Sequence, residues 1–268
     1  MEPTAQRPSA PVALSIAGSD SGANAGIQAD LLSFAANGVY GTTVLTSVTS
    51  QTPEGVDHVE ALSSDSIRSQ IQQVVRFYQP KAIKTGMLGD ATRIEAVSQS
   101  IGQNCPKTPL IVDPVMIASS GSPLLEPSAV DTLKSTLLPM AHLITPNLDE
   151  AEALLGRSLP TRSEIETAAA QLAEEYQSSV LIKGGHLPGD RLFDILASPD
   201  GTLQASEQMR IEQIDTHGSG CTLAAAIAAW IARGESIASA TRRGQAYLRR
   251  AMESPLILNG RSFINHFP

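Results

Sequence analysis

"DTHGSGCTLAAAIAAWIARG", residues 215–234, sets Gly218-Ser219-Gly220 directly before a cysteine and a run of alanine and branched apolar residues. Alanine has the strongest intrinsic preference for helix, so the run predicts a helix over 219–233. An apolar helix needs no glycine-broken entrance, whereas an anion does. Small residues let successive backbone N–H groups converge, and the start of a helix adds partial positive charge. The stretch therefore predicts an anion pocket at a loop-to-helix junction, suited to a phosphoryl group carrying extra charge in transit. Ser219 adds a hydroxyl. Cys221 stands where the helix field lowers a thiol pKa. Its other reading is a small buried filler, as many free cysteines are.

Upstream, short apolar runs alternate with amphipathic stretches. "VALSIAG" (12–18), "GTTVLTSVTSQ" (41–51), "KAIKTGM", "PLIVDPV", "HLITPN" and "SVLIKGG" read as strands. Helices are predicted at "AGIQADLLSFAANG", at the helical spacing of Ile67, Ile71, Val74, Val75 and Tyr78, and at Ile165, Ala168, Ala169, Leu172 and Tyr176. Two more, 219–233 and about 236–252, come late in the chain. Alternation of this kind implies parallel strands joined by right-handed crossovers, with helices on both faces of the sheet. Within 192–211 a Pro-Asp-Gly turn separates two extended runs, which predicts an antiparallel hairpin at one sheet edge. No Gly/Ser/Pro-rich linker divides the chain, so a single α/β domain over 12–268 is expected after a loose tail at 1–11.

Composition excludes several classes. With 19 Lys+Arg against 27 Asp+Glu the formal net charge is -8, and the only basic clusters are Arg242-Arg243 and Arg249-Arg250 on a predicted helix. Nucleic acid is not the expected partner. Two cysteines, Cys105 and Cys221, form no disulfide framework or metal spacing and suit a reducing compartment. The tail lacks the apolar core of a signal peptide, and no apolar stretch is long enough to span a bilayer. A cytoplasmic protein without a membrane partner is expected.

In a parallel α/β sheet, ligands collect at the carboxyl ends of the strands. The residues just after each strand are the informative ones here. After the first strand, Gly18, Gly22 and Gly26 let backbone approach a ligand, and Asp30 lies near the start of the following helix. This loop matches neither the Walker A pattern nor the dinucleotide GxGxxG spacing. Gln51 offers an amide donor and acceptor suited to a heteroaromatic ring edge. Asp113-Pro114-Val115 follows "LIV". Asn147 and Glu150 stand three apart at a helix start, where they can form a capping box or hold magnesium with oxygen ligands. Lys183-Gly184-Gly185-His186 places a cation where phosphates can lie.

The elements "AGSDSGANAGIQADL", "NGVYG", "TSVTSQTPEGV", "KTGMLGD", "IVDPVM", "SG-PLL", "LITPNLDEAEALLG", "LIKGGH" and "DTHGSGCTL" run in order over about residues 12–230. On them the chain resembles the hydroxymethylpyrimidine/phosphomethylpyrimidine kinases of thiamine biosynthesis. The resemblance implies a ribokinase-like three-layer α/β/α fold with a mostly parallel sheet, and transfer from ATP, with Mg2+, to a pyrimidine alcohol and then to its monophosphate. It implies that Gly18, Asp30, Gln51 and Val115 line the pyrimidine pocket and that Asn147 and Glu150 are magnesium-associated. It sets Lys183 near the phosphates and makes Gly218, Ser219, Gly220 and Cys221 the anion-hole turn. A homodimer or larger homo-oligomer is implied as well. Ala23 and Asn24 replace common glycines, with Asn24 the residue expected to tolerate left-handed backbone, and Ser119 replaces a common lysine. A pyridoxal-type kinase of the same fold is the alternative.

Overall fold

The computed structural model describes residues 10–117, 124–184 and 189–267. Nine strands form one sheet in the order β3-β2-β1-β4-β5-β6-β7-β8-β9. These are β1 (Val12–Asp20), β2 (Tyr40–Thr52), β3 (Gly55–Ala61), β4 (Ala82–Thr85), β5 (Leu110–Val112), β6 (Leu143–Ile144), β7 (Ser179–Ile182), β8 (Arg191–Ala197) and β9 (Leu203–Met209). From β2 across to β7 all neighbours are parallel. The hairpin expected at 192–211 is present as β8–β9, with Gly201 at φ 84° in its turn. The opposite edge is antiparallel too, through β3 on β2. The sequence predicts no strand there, because none of its residues is buried and they show no apolar alternation.

Successive strand residues point to opposite faces, and the central strands use both. Leu14, Ile16, Ile83, Leu110, Val112, Ile144, Val180 and Ile182 pack into one apolar core. That core is covered by α2 (Ser64–Tyr78), α3 (Ala91–Asn104), α5 (Leu148–Leu155) and α6 (Arg162–Tyr176). An irregular helical run, Pro127 to Met140, covers it as well, with the α-helical turn α4 (Val130–Thr132) inside it. Ala13, Ala82, Ile111, Leu143 and Leu181 point the other way, onto α1 (Gly26–Ala36), α7 (Ser219–Ala232) and α8 (Ile237–Glu253). The result is the expected helix–sheet–helix sandwich. α3 and the 127–140 run are not among the elements expected from sequence.

The alanines of α7 have a packing reason. A helix apolar all round belongs in the interior, and Ala224, Ala225, Ala226, Ala228 and Ala229 are fully buried. Small side chains let α8 approach so closely that a Cβ on Gly244 would lie 2.8 Å from the Ile227 side chain. No described helix is long and apolar enough to cross a membrane. Beyond α8 the chain adds a small antiparallel pair, β10 (Leu256–Leu258) and β11 (Arg261–Phe263). Of the expected tail at 1–11, only Ala10 and Pro11 fall among the described residues.

The segment after β11 carries a pH dependence. His266 is buried, with Nδ1 at 3.1 Å from the Tyr247 hydroxyl and 3.5 Å from Ser33 Oγ, and burial pulls its pKa down to about 4. An unfolded histidine titrates near 6.5, so this group's contribution to stability is complete above that pH. It is lost as pH falls from about 6.5 towards 4, by up to about 3 kcal/mol. Urea midpoints of the parent should fall faster over this window than those of His266→Asn. Parallel curves for the two proteins would refute the assignment.

Candidate active site

The residues at and just beyond the strand ends converge on one cavity of about 900 Å3 at the carboxyl ends of the strands. Gly18, Gln51, Val115, Asn147, Glu150, Lys183, Gly218, Ser219, Gly220 and Cys221 all line it. Asp30 does not. Its side chain is wholly buried beneath the floor, where both oxygens accept from Lys84 Nζ at 2.9 Å and one also accepts from Ser15 Oγ at 2.5 Å. The expectation that Asp30 lines a ring pocket is corrected on this point. Asp30 lies on the inner face of α1, against β1 and β4, and its hydrogen-bonding capacity is spent on them. Burial works against charge on Lys84, but the Asp30 carboxylate outweighs it and holds the ammonium protonated.

At the anion turn, Gly218 takes left-handed angles (φ 81°, ψ 0°) as the N-cap of α7, and as a glycine it has no side chain with which to cap the helix. First-turn amides have no intrahelical partner. Ser219 N–H is nevertheless spent on the Thr216 carbonyl at 3.0 Å. Among the described residues the amides of Gly218, Gly220 and Cys221 donate to no backbone carbonyl and are left to an anion, whereas Ser219 N–H drops out of the curl expected from sequence. Lys183 Nζ completes the charge: a Cβ on Gly220 would lie 3.2 Å from it.

Lys183 leaves the end of β7 and donates to Asp113 Oδ1 at 2.9 Å. Asp113, just after β5, is almost fully buried and also accepts from Thr145 Oγ1 at 3.2 Å. Burial alone would lower the Lys183 pKa, but Asp113 and Glu150 together raise it, so the ammonium stays charged. Asp113 follows the same post-strand rule as the residues singled out from sequence. Gly185 and His186, two of the four residues in the expected lysine turn, lie outside the described residues, as does Ser119.

The capping-box reading of Asn147 and Glu150 is realised. Asn147 Oδ1 accepts from Glu150 N at 2.8 Å, and Glu150 Oε2 accepts from Asn147 N at 2.7 Å. Glu150 is also hydrogen-bonded by the Met116 amide, and both residues line the cavity wall. Burial, reinforced by Asp113, pushes the Glu150 pKa up to about 7 despite Lys183 and the Asn147 amide. Among the described residues no three His, Cys, Asp or Glu side chains cluster as a metal cage. This donor set fits magnesium that arrives with a phosphate ligand, since that ion is commonly held by one or two carboxylates plus phosphates and water.

Cys221 departs from expectation. The thiol pKa is pushed up to about 11, by burial first, with Lys84 and the Gly26 backbone amide pulling the other way. Desolvation of the thiolate outweighs both. Iodoacetamide labelling of Cys221 should therefore accelerate through about pH 10–11 and show no plateau near neutrality. A labelling pKa at or below 8 would overturn this picture.

At the opposite wall, the loop after β1 is clasped to the end of β2. Ser21 Oγ accepts from Gln51 N at 2.8 Å and donates to Gln51 O at 2.9 Å. Asp20 ties the first loop by accepting from the amides of Gly22, Asn24 and Ala25 at 2.8, 3.1 and 2.9 Å. Burial raises the Asp20 pKa, but His217 and these amides more than reverse it and hold the carboxyl below its ordinary value. The left-handed residue in this loop is Ala23 (φ 62°) rather than Asn24. Gln51 Nε2 lies 2.9 Å from His217 Nε2. His217 therefore bridges the ring-side loops to the anion turn, a link that no pattern in the sequence reveals.

The phosphomethylpyrimidine kinase family model matches residues 20–264. The chain is 41% identical over 260 residues to hydroxymethylpyrimidine/phosphomethylpyrimidine kinase from Rhizobium meliloti, covering 96% of this chain and 97% of that one. Among solved structures it is similar to phosphomethylpyrimidine kinase from Clostridium difficile (TM-score 0.80, 37% identity, 90% of this chain and 98% of that one). It is also similar to pyridoxal kinase from Bacillus subtilis, solved as an ADP complex (TM-score 0.86, 33% identity, 96% and 98%). With this ribokinase-like sandwich and a cationic anion turn at its strand ends, the chain belongs to the phosphomethylpyrimidine kinase family.

Proposed function

We propose that this kinase transfers the γ-phosphoryl group of ATP to 4-amino-5-hydroxymethyl-2-methylpyrimidine, and then phosphorylates the monophosphate to the diphosphate used in thiamine assembly. The observation that carries the reading is Lys183 Nζ poised over the Gly220 turn, in one cavity with Gln51, Gly18 and Val115. In the first transfer the alcohol oxygen bonds to the γ-phosphorus, the bond from that phosphorus to the ADP oxygen breaks, and the alcohol proton passes to solvent. In the second, a phosphate oxygen of the monophosphate attacks a second ATP in the same way. Such transfers depend mainly on positioning and on neutralising charge.

Gln51 supplies a donor and an acceptor to the ring edge, and leaves its contact with His217 to do so. Gly18 keeps the floor flat, because a Cβ there would lie 2.9 Å from Ser47 Oγ and 3.4 Å from Met87 Cε. Val115 adds an apolar wall. Lys183 and the amides of Gly218, Gly220 and Cys221 hold the moving phosphoryl group, while Asp113 holds Lys183. Cys221, protonated at neutral pH, lines this pocket and is not a preformed base. Asn147 and Glu150 are the residues to hold magnesium, which when bound neutralises phosphate charge. A carboxyl titrating near 7 is easily left neutral, and regains its charge as a cation arrives.

The likeness to pyridoxal kinase keeps a second reading in play, in which the same phosphate machinery acts on a pyridine alcohol. A coupled ADP-release assay with the pyrimidine alcohol, its monophosphate and pyridoxal separates the two. Turnover with both pyrimidines, followed by formation of the diphosphate, is expected. Turnover with pyridoxal alone would sink the proposal. A homodimer or larger assembly in the cytoplasm accompanies this reading, and light scattering of the purified protein tests the assembly.

A further inference from the structure

The structure assigns Asp194 as a positioning residue that fixes the Lys183–Gly184 strand end, with Gln245 of α8 locking Asp194 in place. The inference rests on the reading of Lys183 as the phosphate-side cation.

The antiparallel ladder between β7 and β8 runs Val180↔Ala197, Leu181↔Leu196, Ile182↔Ile195 and stops there. Lys183 and Gly184 are the next two residues, and their amides need other acceptors. Lys183 N–H turns to the β6 side and donates to the Pro146 carbonyl at 2.9 Å. Gly184 N–H turns to the β8 side and donates to Asp194 Oδ1 at 3.1 Å. The peptide that carries the Lys183 side chain is thus held from both flanks. Gly184 has no room for anything larger, since a Cβ there would lie 1.9 Å from the Phe193 carbonyl oxygen.

The other oxygen of Asp194 accepts from Gln245 Nε2 at 2.8 Å, and the same amide donates to Ser206 Oγ at 2.8 Å. One carboxylate therefore joins the end of β7, the β8–β9 hairpin and α8, and all three side chains line the large cavity. A purely structural pin between a hairpin and a helix has no need of the strand-end amide. Here one oxygen is committed to it, immediately beside the residue whose ammonium sits over the anion turn. Loss of this pin lets Lys183 shift, and a misplacement of about 1 Å can cost about 100-fold in rate.

The test uses full-length protein and three variants, assayed for kcat and KM with ATP and the pyrimidine alcohol and for amide exchange at Gly184. Asp194→Ala should lower kcat by roughly 10- to 100-fold with KM for the alcohol within about twofold, and speed Gly184 exchange at least about tenfold. Asp194→Asn keeps an oxygen for Gly184 N–H and should recover kcat to within about fivefold of the parent, with slow exchange restored. Lys183→Ala is the control for the underlying reading. If it is inactive while Asp194→Ala turns over normally, the positioning role is wrong and the Lys183 role stands. If Lys183→Ala turns over normally, the Lys183 role fails and the positioning role falls with it, whatever the exchange rates show. Equal losses in both Asp194 variants, with Gly184 exchange unchanged, would also overturn the inference.

Discussion

Lys183→Ala is expected to lower kcat by about 10^2- to 10^3-fold, the scale seen when a preorganised charge-stabilising donor is removed. Lys183 Nζ lies where a Cβ on Gly220 would be only 3.2 Å away, so it faces the same space as the turn amides. Its removal also leaves Asp113, 2% exposed, without its cation. An unpaired buried carboxylate destabilises a fold by itself, so a loss of turnover could reflect unfolding. Asp113→Asn combined with Lys183→Ala removes that charge and separates the two causes. The double variant should melt close to the parent yet stay inactive. Single-turnover ATP assays and thermal melts give both readouts. Turnover within fivefold of the parent in Lys183→Ala would remove the lysine from the phosphate site.

Gly218→Ala is the second large effect. Its φ of 81° strains any residue with a Cβ, at a cost of about 1–2 kcal/mol. The greater problem is contact: the new Cβ would lie 1.8 Å from the Asn24 carbonyl oxygen. The anion turn has to move away from the first loop, carrying Gly220 from Lys183 and His217 from Gln51. A fall in kcat/KM of about 100-fold or more is expected, because displacement of that size spoils reacting geometry. Gly156 provides a matched comparison. It also has left-handed angles (φ 68°), at the end of α5, but a Cβ there meets nothing within 4 Å. Gly156→Ala should lose about 1 kcal/mol of stability and keep its turnover. Equal turnover losses in both alanine variants would show that strain, and not contact between the loops, accounts for the effect.

Much of the architecture was legible because its causes are local. The short apolar runs of the central strands, the alanine run of α7 and the Pro-Asp-Gly hairpin each state their geometry locally. β3 was not legible, since an exposed edge strand has no buried face to impose a pattern. α3 carries Ile94, Val97 and Ile101 at helical spacing, a local signal of the same kind. The rule that functional residues stand just after parallel strands places Val115, Asn147 and Lys183, whereas Gly18 and Gln51 lie within the last residues of β1 and β2 and Glu150 in the first turn of α5, all at the same cavity. Asp113 obeys the same rule. Lys84 carries a different signal: a lysine inside a four-residue strand that is buried throughout.

Protonation and pairing were legible only in three dimensions. A helix start argues for an acidic thiol at Cys221, yet burial drives its pKa up to about 11. Asp30 looked like a ring contact until Lys84, 54 positions away, claimed both its oxygens. The sequence by itself determined the layered α/β architecture, the glycine-opened helix and the set of polar groups delivered to the strand ends, because backbone periodicity and strand–helix junctions act over short range. Tertiary structure decided which of those groups face the cavity, which are spent on each other and which keep their charge. Those outcomes depend on burial and on partners such as Gln51 and His217, 166 positions apart, or Lys183 and Asp113, 70 apart. Desolvation and Coulomb interaction act through space, and the folded chain alone sets those distances.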